Sequence, residues 1–111
     1  MIGQFQKEVA TIYLESWFQA LGEDKQREFL VVGLGNEAGE VAEMYKKNLV
    51  HNYPSSFMKE RVGEELGDVL WHLAAIAFMQ GLSLEEIMKD SMRKMRRRFP
   101  ERFKAMEEEV S

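Results

Sequence analysis

Two short acidic runs, Glu37-Ala38-Gly39-Glu40 and Glu65-Leu66-Gly67-Asp68, hold the residues of this sequence best suited to chemistry. Each sets two carboxylates three residues apart around a glycine, in a stretch whose apolar spacing is helical, so the acids of a pair project from one helical face. Two such faces brought together form a cage of oxygen ligands. At about 100° per residue, Glu37 falls between Leu30 and Met44 on the apolar arc of its helix. By the same wheel Glu65 falls beside Val69 and Ile76, with Asp68 next to it and His72 one turn further on. These acids face inward or sideways. Clustered carboxylates repel and are costly to desolvate unpaired, so they need cations, protonation or water, and a divalent metal answers that need most directly. The plainer alternative is four ordinary surface acids. E-x-x-E is common on helices, but its doubled, glycine-centred and inward-facing form is not.

The chain has no cysteine, so a metal would be held by carboxylates or by its two histidines, His51 and His72, which favours a hard cation. A di-iron bundle would use Glu-x-x-His pairs, and neither histidine stands three residues after a glutamate. Gly35, Gly39, Gly63 and Gly67 lie within the helical stretches at a cost of about 1 kcal/mol each relative to alanine. Their spacing predicts close approach of the two backbones, which would bring the acidic pairs to a shared ion.

The elements that must position these acids are helices. Phe5, Val9, Ile12, Tyr13, Trp17 and Ala20 predict a first helix over residues 4–21, with Gly22-Glu23-Asp24 as a break. Leu30, Leu34, Val41, Met44 and Tyr45 predict a second from Glu28 to about Leu49. His51 to Ser56 is a loop, since Pro54 disfavours helix at Tyr53. A third helix runs from about Phe57 to Gln80, with Val62, Leu66, Val69, Leu73 and Ile76 as its buried stripe and Gly81 as its stop. Ser83-Leu84-Glu85-Glu86 is a capping box that opens a fourth helix through Ile87, Met88, Met92 and Met95. Pro100 interrupts it, and Arg102 to Ser111 reads as a short charged helix. The expected architecture is an all-α, four-helix bundle-like single domain over 1–111.

In their order along the chain, these residues resemble the MazG-like nucleoside triphosphate pyrophosphohydrolases, whose signature is E-x-x-E followed by E-x-x-D. Glu37 and Glu40 match the first half, and Glu65 and Asp68 match the second after a gap of 24 residues. The flanking Gly35-Asn36-Glu37-Ala38-Gly39-Glu40-Val41, Glu64-Glu65-Leu66-Gly67-Asp68-Val69-Leu70-Trp71 and Lys94-Met95-Arg96-Arg97-Arg98-Phe99-Pro100 are similar to the family's text as well. The resemblance implies a MazG-type fold and Mg²⁺, with Mn²⁺ as a substitute, held by Glu37, Glu40, Glu65 and Asp68. It also implies hydrolysis of a nucleoside triphosphate to monophosphate and pyrophosphate, with Glu37 or Glu40 activating the attacking water. Departures are Asn36 where many relatives have a second glutamate, Ser91 for a frequent asparagine and Phe99 for a frequent tyrosine; they touch substrate contacts rather than metal positions.

Arg93, Lys94, Arg96, Arg97 and Arg98 form a basic cluster in a chain of net charge −4. Read alone, it is a solvated helix end suited to the C-terminal dipole. Lys94 and Arg98 share a face and match the family's phosphate-contacting pair. Lys47 and Arg61 are weaker phosphate candidates. His72 is a candidate substrate contact or a packing residue, and Trp17 a candidate base-stacking or core residue. Trp71 reads as core, and the methionines as core or subunit interface.

Net acidity and the lack of aromatic residues within the basic cluster argue against nucleic-acid binding. No apolar run reaches the length of a membrane span, so the expected location is the cytoplasm. The expected function is nucleotide pyrophosphohydrolysis that clears or regulates a pool; the alternative is a non-catalytic nucleotide-sensing or interaction module. So small a helical chain is expected to complete its core as a homodimer or homotetramer.

Overall fold

A computed structural model describes residues 1–110, and among them every regular element is a helix: α1 (Ile2–Tyr13), α2 (Ser16–Gln19), α3 (Glu23–His51), α4 (Ser55–Met79), α5 (Leu84–Arg98) and α6 (Pro100–Val110). The chain is all-α, with one more break than its periodicity predicts. α1 stops at Tyr13, and Glu15 is extended (φ −64°, ψ 153°) before α2 begins. On one continuous helix Tyr13 and Phe18 would point about 140° apart. The break turns both into the core, where their rings meet edge to face at 5.0 Å. Gln19 Nε2 donates to the Tyr13 carbonyl at 2.8 Å, satisfying an acceptor that the broken helix leaves over.

α3 starts at Glu23 rather than Glu28. Gly22 (φ 83°) makes the turn, and Glu23 and Asp24 occupy the positive end of the helix, where Arg27 pairs with them at 3.4 and 3.2 Å. α3 and α4 then form a hairpin. Asn52 closes α3 in the left-handed conformation (φ 50°), the Asn48 side chain accepts from the Tyr53 N–H at 2.8 Å, and Pro54 leads into α4. Gly81 (φ 71°) ends α4 as expected, with the Leu82 N–H donating to the Ala77 carbonyl at 2.8 Å, and Ser83 Oγ caps α5 by accepting from the Glu86 N–H at 3.2 Å. Pro100 stands at the first position of α6, where its missing N–H costs nothing. Ser111, the last residue of the expected tail helix, lies outside the described residues.

The core gathers Val9 and Tyr13 of α1, Phe18, Leu30 of α3, Ala74 and Ala75 of α4, and Leu84. Trp71 packs against it and donates from Nε1 to the Tyr13 hydroxyl at 2.9 Å. The buried face of α4 is not the expected stripe. Val62, Val69 and Ile76 are half-buried, but Leu66 and Leu73 are exposed, and Ala74, Ala75 and Ala77 lie inside. Small side chains let the neighbouring helix come close, and that contact selects the alanine arc over the leucine arc. Tyr45 is exposed, and Trp17 is half-exposed, edge-on to Phe18 and Phe29 rather than in the core.

Met88, Met92 and Met95 are also exposed, as is every residue of α5 after Leu84, so these methionines are not core in the single chain. The radius of gyration is 17.8 Å, against about 13 Å for a compact chain near this length.

The glycines correct a second expectation. A Cβ built at Gly35, Gly39, Gly63 or Gly67 meets nothing within 4 Å, so none of them mediates a close approach of α3 to α4 within the chain. Gly33 does, because a Cβ there would lie 2.5 Å from His72 Nε2. Gly63→Ala is therefore expected to stabilise the chain by about 0.5–1 kcal/mol in urea unfolding, the ordinary gain of alanine in a helix. A loss of stability would instead reveal a second chain packed over that position.

Candidate metal centre

The hairpin sets the register of the acids. Glu40 and Glu65 stand nearly equal distances before and after the turn at Asn52–Pro54, and so do Glu37 and Asp68, further out. Folding α4 back along α3 thus brings Glu40 level with Glu65, and Glu37 level with Asp68. One carboxylate oxygen from each of the four lies within 4.8 Å of the other three. Ligands on opposite sides of Mg²⁺ are about 4.2 Å apart, and around larger hard cations about 5 Å, so the four oxygens fit one ion or a close pair with little movement.

Burial divides the four unequally. Glu65 is only 9% exposed and Glu37 is half-buried, whereas Glu40 and Asp68 open to solvent. Oε2 of Glu37 and Oε2 of Glu65 are buried with no hydrogen-bond partner among the described residues. Orphaned carboxylate oxygens of this kind are costly unless a cation or proton meets them, so the donor set fits a hard divalent metal. The protein's own electrostatics agree. Burial raises the Glu37 carboxyl above its ordinary range, assisted by the charges of Glu40 and Asp68. For Glu65 a shared proton with the Glu40 carboxyl is the foremost cause of the rise, followed by burial and by the charges of Glu40, Asp68 and Glu37. Arg61 reaches Glu65 at 3.9 Å and Glu64 at 3.3 Å, too distant and exposed to reverse that rise.

The other sequence candidates divide into three groups. Arg61 is at the rim of the cage, and His72 is anchored beside it, its Nδ1–H donating to the Asp68 carbonyl at 2.9 Å. Trp17 sits behind Phe29, which lines a cleft of about 530 Å³ at the Glu37 end of the cage, walled by Leu21, Phe29 and Val32 and floored by Gly33, Asn36 and His72. Lys47, Lys94 and Arg98 are exposed and make no hydrogen bond or ion pair with the cage among the described residues. The neighbours of the last two are engaged elsewhere, Arg93 with Asp90 and Arg96 with Glu107 at 2.8 Å. Phe29 and Gly33 were missed in the sequence. The available signal was one more helical glycine, one turn before Glu37.

Residues 25–103 match the MazG nucleotide pyrophosphohydrolase domain. The chain belongs to that family. The matched span begins in the first turn of α3, contains both acidic pairs and ends in α6. An uncharacterized protein of Bacillus subtilis (strain 168), YvdC, is 30% identical over 95 residues, covering 78% of this chain and 90% of the relative. No solved structure matches the chain. The MazG-type fold read from the acidic signatures and the observed helices therefore agree. Among the described residues no helix is long and apolar enough to cross a membrane.

Proposed function

We propose that this MazG domain, acting as a single unit over 1–111 in the cytoplasm, hydrolyses a ribo- or deoxyribonucleoside triphosphate to its monophosphate and pyrophosphate by water attack at the α-phosphorus. The observation that carries the reading is the orphaned pair of buried oxygens, Glu37 Oε2 and Glu65 Oε2, inside a four-carboxylate cluster 4.8 Å across. Glu37, Glu40, Glu65 and Asp68 would hold Mg²⁺, or Mn²⁺ in its place. When bound, the cation supplies charge neutralisation of the triphosphate and of the departing pyrophosphate. Glu37 and Glu40 are the candidates to orient and deprotonate the attacking water, and burial holds the Glu37 carboxyl above its ordinary range, the direction that favours taking a proton. Arg61, at the rim, is placed to meet phosphate oxygens, with Lys47 further along α3.

Lys94 and Arg98 would contact phosphate once α5 is packed. The exposed methionine face of α5, continuous with exposed Leu70 beside Met88, supports a homodimer or homotetramer as the working form. Sedimentation equilibrium at micromolar concentration is expected to give a dimer or tetramer, and a monomer throughout would contradict it. For the activity itself, a panel of dNTPs and NTPs with Mg²⁺ is expected to yield pyrophosphate from at least one member. A folded, oligomeric protein silent across the panel would favour the alternative of a non-catalytic nucleotide-sensing module, which the same cage would serve.

A further inference from the structure

α5 leaves the rest of the chain as an arm. Leu84 at its base is buried in the core, and every later residue of the helix is exposed. Lys94 and Arg98 lie well beyond that base. At about 1.5 Å per residue they ride roughly 15 and 21 Å out from Leu84, so a tilt of about 10° at the base would carry them roughly 3 and 4 Å, more than a hydrogen bond tolerates. Apolar packing does not fix the tilt firmly. A cleft of about 600 Å³, lined by Met1, Ile2, Phe5, Leu70 and Met88, lies between the base of the arm and its neighbours.

The turn between α4 and α5 therefore sets the direction of the arm. Ser83 caps α5 from within that turn and moves with it. Gln6 stands on α1, 76 and 78 residues from the groups it holds: Nε2 donates to the Leu82 carbonyl at 2.8 Å, and Oε1 accepts from the Leu84 N–H at 3.0 Å. That N–H opens α5 and has no acceptor within the helix, and the Leu82 carbonyl lies in the turn, so one planar amide satisfies a backbone group on each side of Ser83. Two bonds from one plane hold direction as well as position. Gln6 also precedes the span 25–103 that matches the MazG domain. We infer that Gln6 is a positioning residue for the substrate: its two-point clamp on the α4–α5 turn aims α5, and so decides where Lys94 and Arg98 meet the phosphates. The inference rests on the reading of those two residues as phosphate contacts.

The test is calorimetric binding of inorganic tripolyphosphate, with excess Mg²⁺, to the full chain in its native assembly. Gln6→Met keeps the shape of the side chain and loses both bonds; it is expected to weaken binding about tenfold, the weight of one charged hydrogen bond. On any nucleotide that is turned over, the same variant raises KM with little change in kcat. Gln6→Glu, which retains the acceptor for the Leu84 N–H, restores part of the loss, and it carries the comparison if Gln6→Met does not unfold cooperatively. In a Lys94→Met/Arg98→Met background, Gln6→Met adds nothing further, whereas a merely structural Gln6 would weaken binding equally in both backgrounds. The chain has no cysteine, so spin labels on Lys46→Cys and Arg97→Cys report the arm alone, and their distance distribution is expected to broaden in Gln6→Met. Equal losses in the two backgrounds, an unchanged label distance, or wild-type affinity in Lys94→Met/Arg98→Met would each overturn the inference. Coupled binding losses with no pyrophosphate released from any nucleotide would sink the hydrolase reading and leave the clamp standing.

Discussion

Glu65→Gln is expected to lower pyrophosphate release on the order of a thousand-fold while leaving the helices intact, because several kcal/mol of transition-state stabilisation depends on a correctly held cation. Glu65 is the most informative of the four acids. It is the most buried, and one of its oxygens has no hydrogen-bond partner among the described residues. The amide keeps the shape of the side chain and removes the charge, so loss of activity reports on the cage rather than on packing. The same substitution is expected to raise the melting temperature in metal-free buffer, since it relieves repulsion from Glu40, Asp68 and Glu37. Glu40→Ala and Asp68→Ala, at exposed positions, are expected to abolish turnover with an unchanged far-ultraviolet circular dichroism spectrum. Full activity in any of the three would remove the cage from the mechanism.

Metal and pH should act on stability in opposition. Glu37 and Glu65 have carboxyls raised in the fold above their ordinary range. An acid whose pKa is raised by folding contributes stability that is fully present below its unfolded pKa and is lost as pH rises through its folded pKa. In chelator, the contribution of these two groups therefore falls as pH climbs from the ordinary carboxyl range through their raised values. Saturating Mg²⁺ reverses the order, because the cation binds the deprotonated cage and its binding releases protons. At a hundredfold excess over Kd the added stability is about 2.7 kcal/mol, roughly 10 °C in Tm for a chain of this size. Differential scanning fluorimetry across pH, with and without Mg²⁺, measures both slopes, and Glu65→Gln should flatten each. A Tm increment from Mg²⁺ that is the same at every pH would show that the ion binds elsewhere.

Both acidic pairs were legible in the sequence because each lies within one helical turn, where spacing alone fixes which side chains share a face. The stop of α4 at Gly81, the break before α4 at Pro54 and the cap at Ser83 were legible for the same local reason. Even the register of the cage is implicit, since a short turn nearly equidistant from Glu40 and Glu65 allows one antiparallel pairing.

What the sequence left undecided is rotation about each helix axis and what lies opposite. Leu66 and Leu73 share an apolar arc of α4 as good as the one that is buried, but close packing through Ala74 and Ala75 puts the leucines outside. That rotation also makes Glu65 the buried acid and leaves Asp68 open. The break at Glu15 is of the same kind, because nothing local forbids a continuous helix and only the joint burial of Tyr13 and Phe18 rewards bending it. Gly33 stands furthest from the sequence's reach. Its lack of a side chain matters only because His72, on another helix, occupies that space, whereas the glycines inside the acidic signatures face open space. Periodicity thus determined which residues travel together around each helix, and the contacts between helices decided which of them point inward.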